Sequence, residues 1–103
     1  MADPMRIRAV AKDGVADVRV LMAHEMETGL RKDANGNIVP AWYITEVTAS
    51  LNGSKVLVAY WGTAISKNPY LQFRVKGAKA GDKITISWVD SKGEKRTDEA
   101  TVN

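Results

Sequence analysis

Short segments that alternate apolar and polar residues at a period of two, each closed by a turn-forming pair, govern what this chain can fold into. In Met5-Arg6-Ile7-Arg8-Ala9 the alternation puts Met5, Ile7 and Ala9 on one face of a strand. Asp13-Gly14 then predicts a tight turn, because glycine tolerates the positive φ that a two-residue hairpin demands. A second strand over about 15–22 places Ala16, Val18, Val20 and Met22 on one side. Asn52-Gly53 marks a hairpin between strands at 43–51 and 55–61. In Tyr70–Lys76, Leu71, Phe73 and Val75 point inward while Gln72, Arg74 and Lys76 point outward. Ile84, Ile86 and Trp88 repeat the pattern, and after Ser91-Lys92-Gly93 comes a polar last strand at about 94–102. Seven strands without a helix predict one domain over residues 1–103, an antiparallel β-sandwich of the immunoglobulin or fibronectin type III kind. A five-stranded oligonucleotide-binding barrel would leave two strands unused.

Composition removes whole classes of function. Hydrophobic residues at 45% and charged residues at 26% suit a packed domain. The absence of cysteine excludes disulfides, thiolate metal sites and cysteine nucleophiles in these 103 residues. No apolar run approaches the roughly 20 residues of a membrane-spanning helix, so no membrane contact is expected. Met1-Ala2-Asp3-Pro4 leads straight into the charged alternation and reads as no signal peptide. Fifteen Lys plus Arg against 12 Asp plus Glu give +3, too little to point to nucleic acid. A local skew sets Lys67, Arg74, Lys76, Lys79 and Lys83 against Asp82 alone, which suits an acidic partner or simply a solvated face. Tyr70 is the one aromatic among them, too few for a base-stacking platform.

Two connections are unusual. Residues 23–37 lack steady alternation over a length at which loops carry function or a hairpin of their own, and Asn35-Gly36 before Ile38-Val39-Pro40 predicts such a hairpin. The second, 62–69, ends in Ser66-Lys67-Asn68-Pro69, where the proline predicts an extended Asn68.

Two neighbouring strands carry more apolar residues than one inward face can hold. Val56, Val58 and Tyr60 alternate with Leu57, Ala59 and Trp61, and Tyr43, Val47, Ala49 and Leu51 with Trp42 and Ile44. Burying side chains like Trp42, Ile44, Leu57 and Trp61 is worth ~1.5–3 kcal/mol each. Together that rivals the ~5–15 kcal/mol net stability of a domain. These four residues are therefore expected to face another protein, unless a loop folds over them or a bulge turns them inward.

Candidate chemistry is sparse. His24 is the only histidine and has no nucleophile elbow or other local catalytic signature, so no enzymatic activity is expected. Glu25 and Glu27 have the makings of an acid–base pair, but loop carboxylates are ordinarily solvated. Met22, His24 and Met26 at i, i+2 and i+4 share one side of an extended segment, and thioether with imidazole suits Cu(I). A periplasmic copper-binding β-sandwich is thus the alternative reading. The plainer one makes Met22 core and Met26 a loop anchor, with no cofactor and no metal.

Several segments, in order along nearly the whole chain, resemble the SoxZ family of bacterial thiosulfate oxidation. Met26-Glu27-Thr28-Gly29-Leu30-Arg31-Lys32-Asp33 and Ser66-Lys67-Asn68-Pro69-Tyr70-Leu71-Gln72-Phe73 carry the likeness most strongly. Lys76-Gly77-Ala78-Lys79, Gly81-Asp82, Trp88-Val89-Asp90 and Arg96-Thr97-Asp98-Glu99-Ala100 add to it. Glu25 departs from it, since the family usually has proline after the histidine. The resemblance implies an immunoglobulin-like, non-catalytic subunit of the SoxYZ sulfur carrier, paired with SoxY, whose C-terminal cysteine arm bears covalently bound sulfur. It also implies transient contacts with other Sox enzymes, and a periplasmic location reached by co-export with a signal-bearing SoxY. The partner-binding residues expected are Trp42, Ile44, Leu57 and Trp61 on the apolar strands, with Met26, Asn68 and Tyr70 from the matching segments.

Overall fold

The computed structural model of the chain describes residues 2–103. It contains β1 (Arg6–Lys12), β2 (Val15–Leu21), β3 (Ile44–Leu51), β4 (Ser54–Tyr60), β5 (Tyr70–Lys76), β6 (Lys83–Asp90) and β7 (Lys95–Thr101), with no helix among the described residues. Both predicted two-residue turns form, with Asp13 at φ 54° and Asn52 at φ 49°, each ahead of a glycine also at positive φ. The strands make two antiparallel sheets, β1-β2-β5 and β4-β3-β6-β7. This is an immunoglobulin-like sandwich in which the fourth strand stays beside the third instead of joining the opposite sheet.

The two sheets meet on residues that alternation assigns inward. Ala16, Val18, Val20 and Val75 from one sheet face Ile44, Val47, Ala49, Ile84, Ile86 and Trp88 from the other, all buried. One side of the sandwich is stitched by main-chain bonds, Asn103 N–H to Ala9 O at 2.9 Å and Ala11 N–H to Asn103 O at 2.8 Å. The opposite side ends in β5 and β4, each with an edge unpaired among the described residues. Four strands against three leave β4 overhanging, so Leu57, Ala59 and Trp61 are only partly covered, with Ile65 of the 62–69 connection packed beside them on the core.

Two bulges correct the expected facing of β3 and β4. Ile44 pairs with Asp90 but Glu46 pairs with Val89, so Thr45 is an extra residue in β3. The insertion returns Ile44 to the side of Val47 and Ala49, where it is fully buried. Likewise Ala49 pairs with Leu57 and Ser50 with Lys55, leaving Val56 as the extra residue of β4. Leu57 and Trp61 therefore lean on the core, and the outward apolar surface is Val56, Val58 and Tyr60 instead.

The long connection does form its own hairpin. Glu27 and Trp42 exchange main-chain hydrogen bonds at 2.6 and 3.0 Å, Val39 N–H donates to Arg31 O at 2.7 Å, and Asp33 N–H donates to Asn37 O at 2.8 Å. Its tip leaves Leu30 and Ile38 in solvent. The molecule is 53 Å long and 20 Å across, about twice the length of a seven- or eight-residue strand.

Candidate functional site

The end of the sandwich from which this hairpin springs gathers most of the residues singled out in the sequence. Its centre is His24, reached where β2 runs on past Leu21 into the long connection. Met22, His24 and Met26 are all buried. The Met26 amide donates to His24 Nδ1 at 3.0 Å, so that nitrogen is an acceptor and the ring proton sits on Nε2. Nε2 donates to Asp90 Oδ2 at 3.0 Å. The same oxygen accepts from Trp42 Nε1 at 2.7 Å, while Oδ1 accepts from the amides of Lys92 at 3.0 Å and Glu94 at 2.9 Å. Burial by itself raises the Asp90 carboxyl. The four hydrogen bonds, led by that from His24, outweigh it and hold the group below its ordinary range.

Aromatic rings close the cluster. His24 stands edge-on to Trp42 and Trp88, with centroids 5.0 and 5.2 Å away. Lys92 lies over Trp42, its Nζ 4.0 Å from the ring centroid. Trp88 Nε1 is buried without a hydrogen-bond partner among the described residues. A half-open cleft of about 230 Å³ lies between Ala2, Asp3, His24, Trp42 and Trp88.

Backbone strain converges on the same histidine. Outside the two-residue turns, Met26 at φ 50° and Asn68 at φ 52° are the non-glycine residues in the left-handed region among those described. Asn68 is thus left-handed, against the extended conformation that Pro69 predicts for it. Its N–H donates to His24 O at 2.9 Å and its side-chain oxygen accepts the His24 N–H at 3.0 Å, two bonds that hold a conformation asparagine tolerates. Met26 has its own holders, since its sulfur accepts the Ile44 N–H at 3.3 Å.

Placed in the structure, the expected partner-binding residues divide. Ile44 and Met26 are core, and Leu57 and Trp61 are half-buried against it. Trp42 is half-buried and committed to Asp90, whereas Asn68 and Tyr70 are exposed. All but Leu57, which sits mid-strand opposite Ala49, lie at the His24 end. Among the described residues the copper reading finds no free donor set: both ring nitrogens of His24 are in hydrogen bonds, Met26 sulfur accepts an amide, and Met22 is core. Asp90 lies outside the expected set, although it continues the inward phase of Ile84, Ile86 and Trp88 as an acid among apolar positions.

Fold and site together define an immunoglobulin-like domain whose single histidine is a structural hub. The chain belongs to the SoxZ family, since the family described as sulphur oxidation protein SoxZ matches residues 5–101. No curated protein sequence matches it.

Proposed function

We propose that this sulfur oxidation protein is the non-catalytic subunit of the SoxYZ carrier. It grips SoxY, whose C-terminal cysteine arm carries covalently bound sulfur intermediates from one Sox enzyme to the next. The pair works in the periplasm, exported together on the signal of SoxY. A sequence of 103 residues without cysteine fits the half of a carrier that supplies no thiol.

The observation that carries the reading is the outward face of β4. Tyr60 is 78% exposed and Val56 42%, with Val58 between them, on a strand whose outer edge is unpaired. An aromatic anchor flanked by valines on an open edge is the kind of patch that a permanent partner buries. Tyr60→Arg combined with Val58→Arg should lower SoxY capture in co-purification by at least about tenfold. Both side chains point away from the core, so the thermal midpoint of the isolated chain should hold. Trp61→Arg would damage the core as well. Undiminished capture by the Tyr60→Arg, Val58→Arg chain would show that SoxY sits elsewhere.

A further inference from the structure

The charge of this protein is not spread evenly. On the three-stranded sheet the outward positions form four cross-strand rows: Arg6-Leu21-Tyr70, Arg8-Arg19-Gln72, Val10-Asp17-Arg74 and Lys12-Val15-Lys76. Six of these twelve residues are cations and one is an acid. The face is +5 in a chain of +3, which leaves everything else at −2. Four of the six arginines of the chain stand here. The one acid is already engaged, since Asp17 accepts from Arg19 at 3.0 Å and from Gln72 at 3.0 Å.

We propose that the outward face of β1-β2-β5 is an electrostatic docking plate for an acidic protein surface, that of the Sox enzymes which visit the carrier. The partner's identity rests on the function proposed above; the plate itself is a property of this chain. Three features support it. Arg8 lies directly opposite Arg19, a like-charge cross-strand pair of the kind that disfavours folding. Arginine forks suit carboxylates, and the apolar Val10, Leu21 and Tyr70 stand exposed among them, as in protein interfaces. Finally, three seven-residue strands span roughly 10 by 20 Å. That is small for a permanent interface and fitting for a brief, salt-sensitive encounter. A nucleic acid would lack stacking partners on this face beyond Tyr70, and a bilayer would find no protruding wedge.

The test uses the assembled heterodimer with either Arg6→Glu and Arg8→Glu on the plate, or Lys79→Glu and Lys95→Glu away from it, an equal change of charge. SoxY capture is measured first and should be the same for wild type and both variants. Association rates with purified Sox enzymes are then followed against ionic strength. The plate variant should bind at least about tenfold more slowly at low salt, the difference shrinking to under about threefold in ~0.5 M salt, with the control within about twofold of wild type. Equal rates for the two variants, or a deficit indifferent to salt, would overturn the plate. So would loss of SoxY capture by the plate variant alone, which would make the face part of the permanent interface. Heparin or anionic phosphatidylglycerol vesicles binding in a plate-dependent way, with enzyme docking unaffected, would reassign it to polyanions or lipid. If even the wild-type chain fails to capture SoxY, the carrier reading falls and the plate loses its assigned partner.

Discussion

Asp90 does at the residue scale what no single apolar contact does: one carboxylate joins β6, the following turn and the base of the long hairpin. Replacing it by alanine removes the acceptor shared by the His24 and Trp42 ring N–H groups, at about 1–3 kcal/mol for each donor left dry, and that of two amides in the following turn. Asp90→Asn keeps the shape but turns an amide towards two of those donors, so a loss of about 2–4 kcal/mol is expected in urea unfolding. The pH dependence has a definite sign. A carboxyl held below its ordinary 3.8 in the folded state contributes fully above about pH 4 and loses that contribution as pH falls through the folded value. The stability gap between wild type and Asp90→Asn should therefore be flat from about pH 5 to 8 and narrow below about pH 4. A gap constant down to the lowest pH at which both fold would show that the charge is immaterial. Some of this cluster is legible in the sequence: His24 stands in the Met22–Met26 phase, and Asp90 in the phase of Trp88. Their meeting is not, because 66 residues separate them and only the sheet pairing brings them together.

At the level of elements the strands were readable because alternation and turn pairs agree along the chain. The facing of β3 and β4 was not, because parity arguments assume unbroken ladders and each strand carries one extra residue. The apolar surplus is visible in the sequence, but one inserted residue per strand exchanges which set lies outside. The long hairpin was visible through Asn35-Gly36, but its neck was not. There Gly29, at φ 85°, lies against Ala41, and an added Cβ would come 3.2 Å from the Ala41 Cβ. Gly36 at the tip, φ 80°, has nothing within 4 Å of such an atom. Both alanine variants incur a left-handed backbone cost of about 1–2 kcal/mol, but only Gly29→Ala also pushes the two arms apart. Amide exchange should accelerate at Glu27 and Trp42 in Gly29→Ala by at least about tenfold more than in Gly36→Ala. Equal acceleration would mean that the crowding at the neck is relieved without cost.

Across the whole molecule, the two outer faces differ in what they expose, apolar side chains on β4 and cations on β1-β2-β5. The sandwich needs only its inner faces to fold, so anything costly on an outer face asks for another explanation. The opposed pair Arg8 and Arg19 is such a cost, and it can be measured without any partner. Arg8→Glu replaces a like-charge cross-strand contact with an opposite one and should raise the stability of the isolated chain by ~0.2–1 kcal/mol. The gain should fade in ~0.5 M salt, where exposed charges are screened within about 4–5 Å. Urea titrations at low and high salt check both statements. A gain in stability coupled to slower enzyme docking would separate what the fold prefers from what the face is kept for. Conversely, a loss of stability on Arg8→Glu would give Arg8 a structural role, and the case for a face maintained against the interests of folding would lose its strongest support.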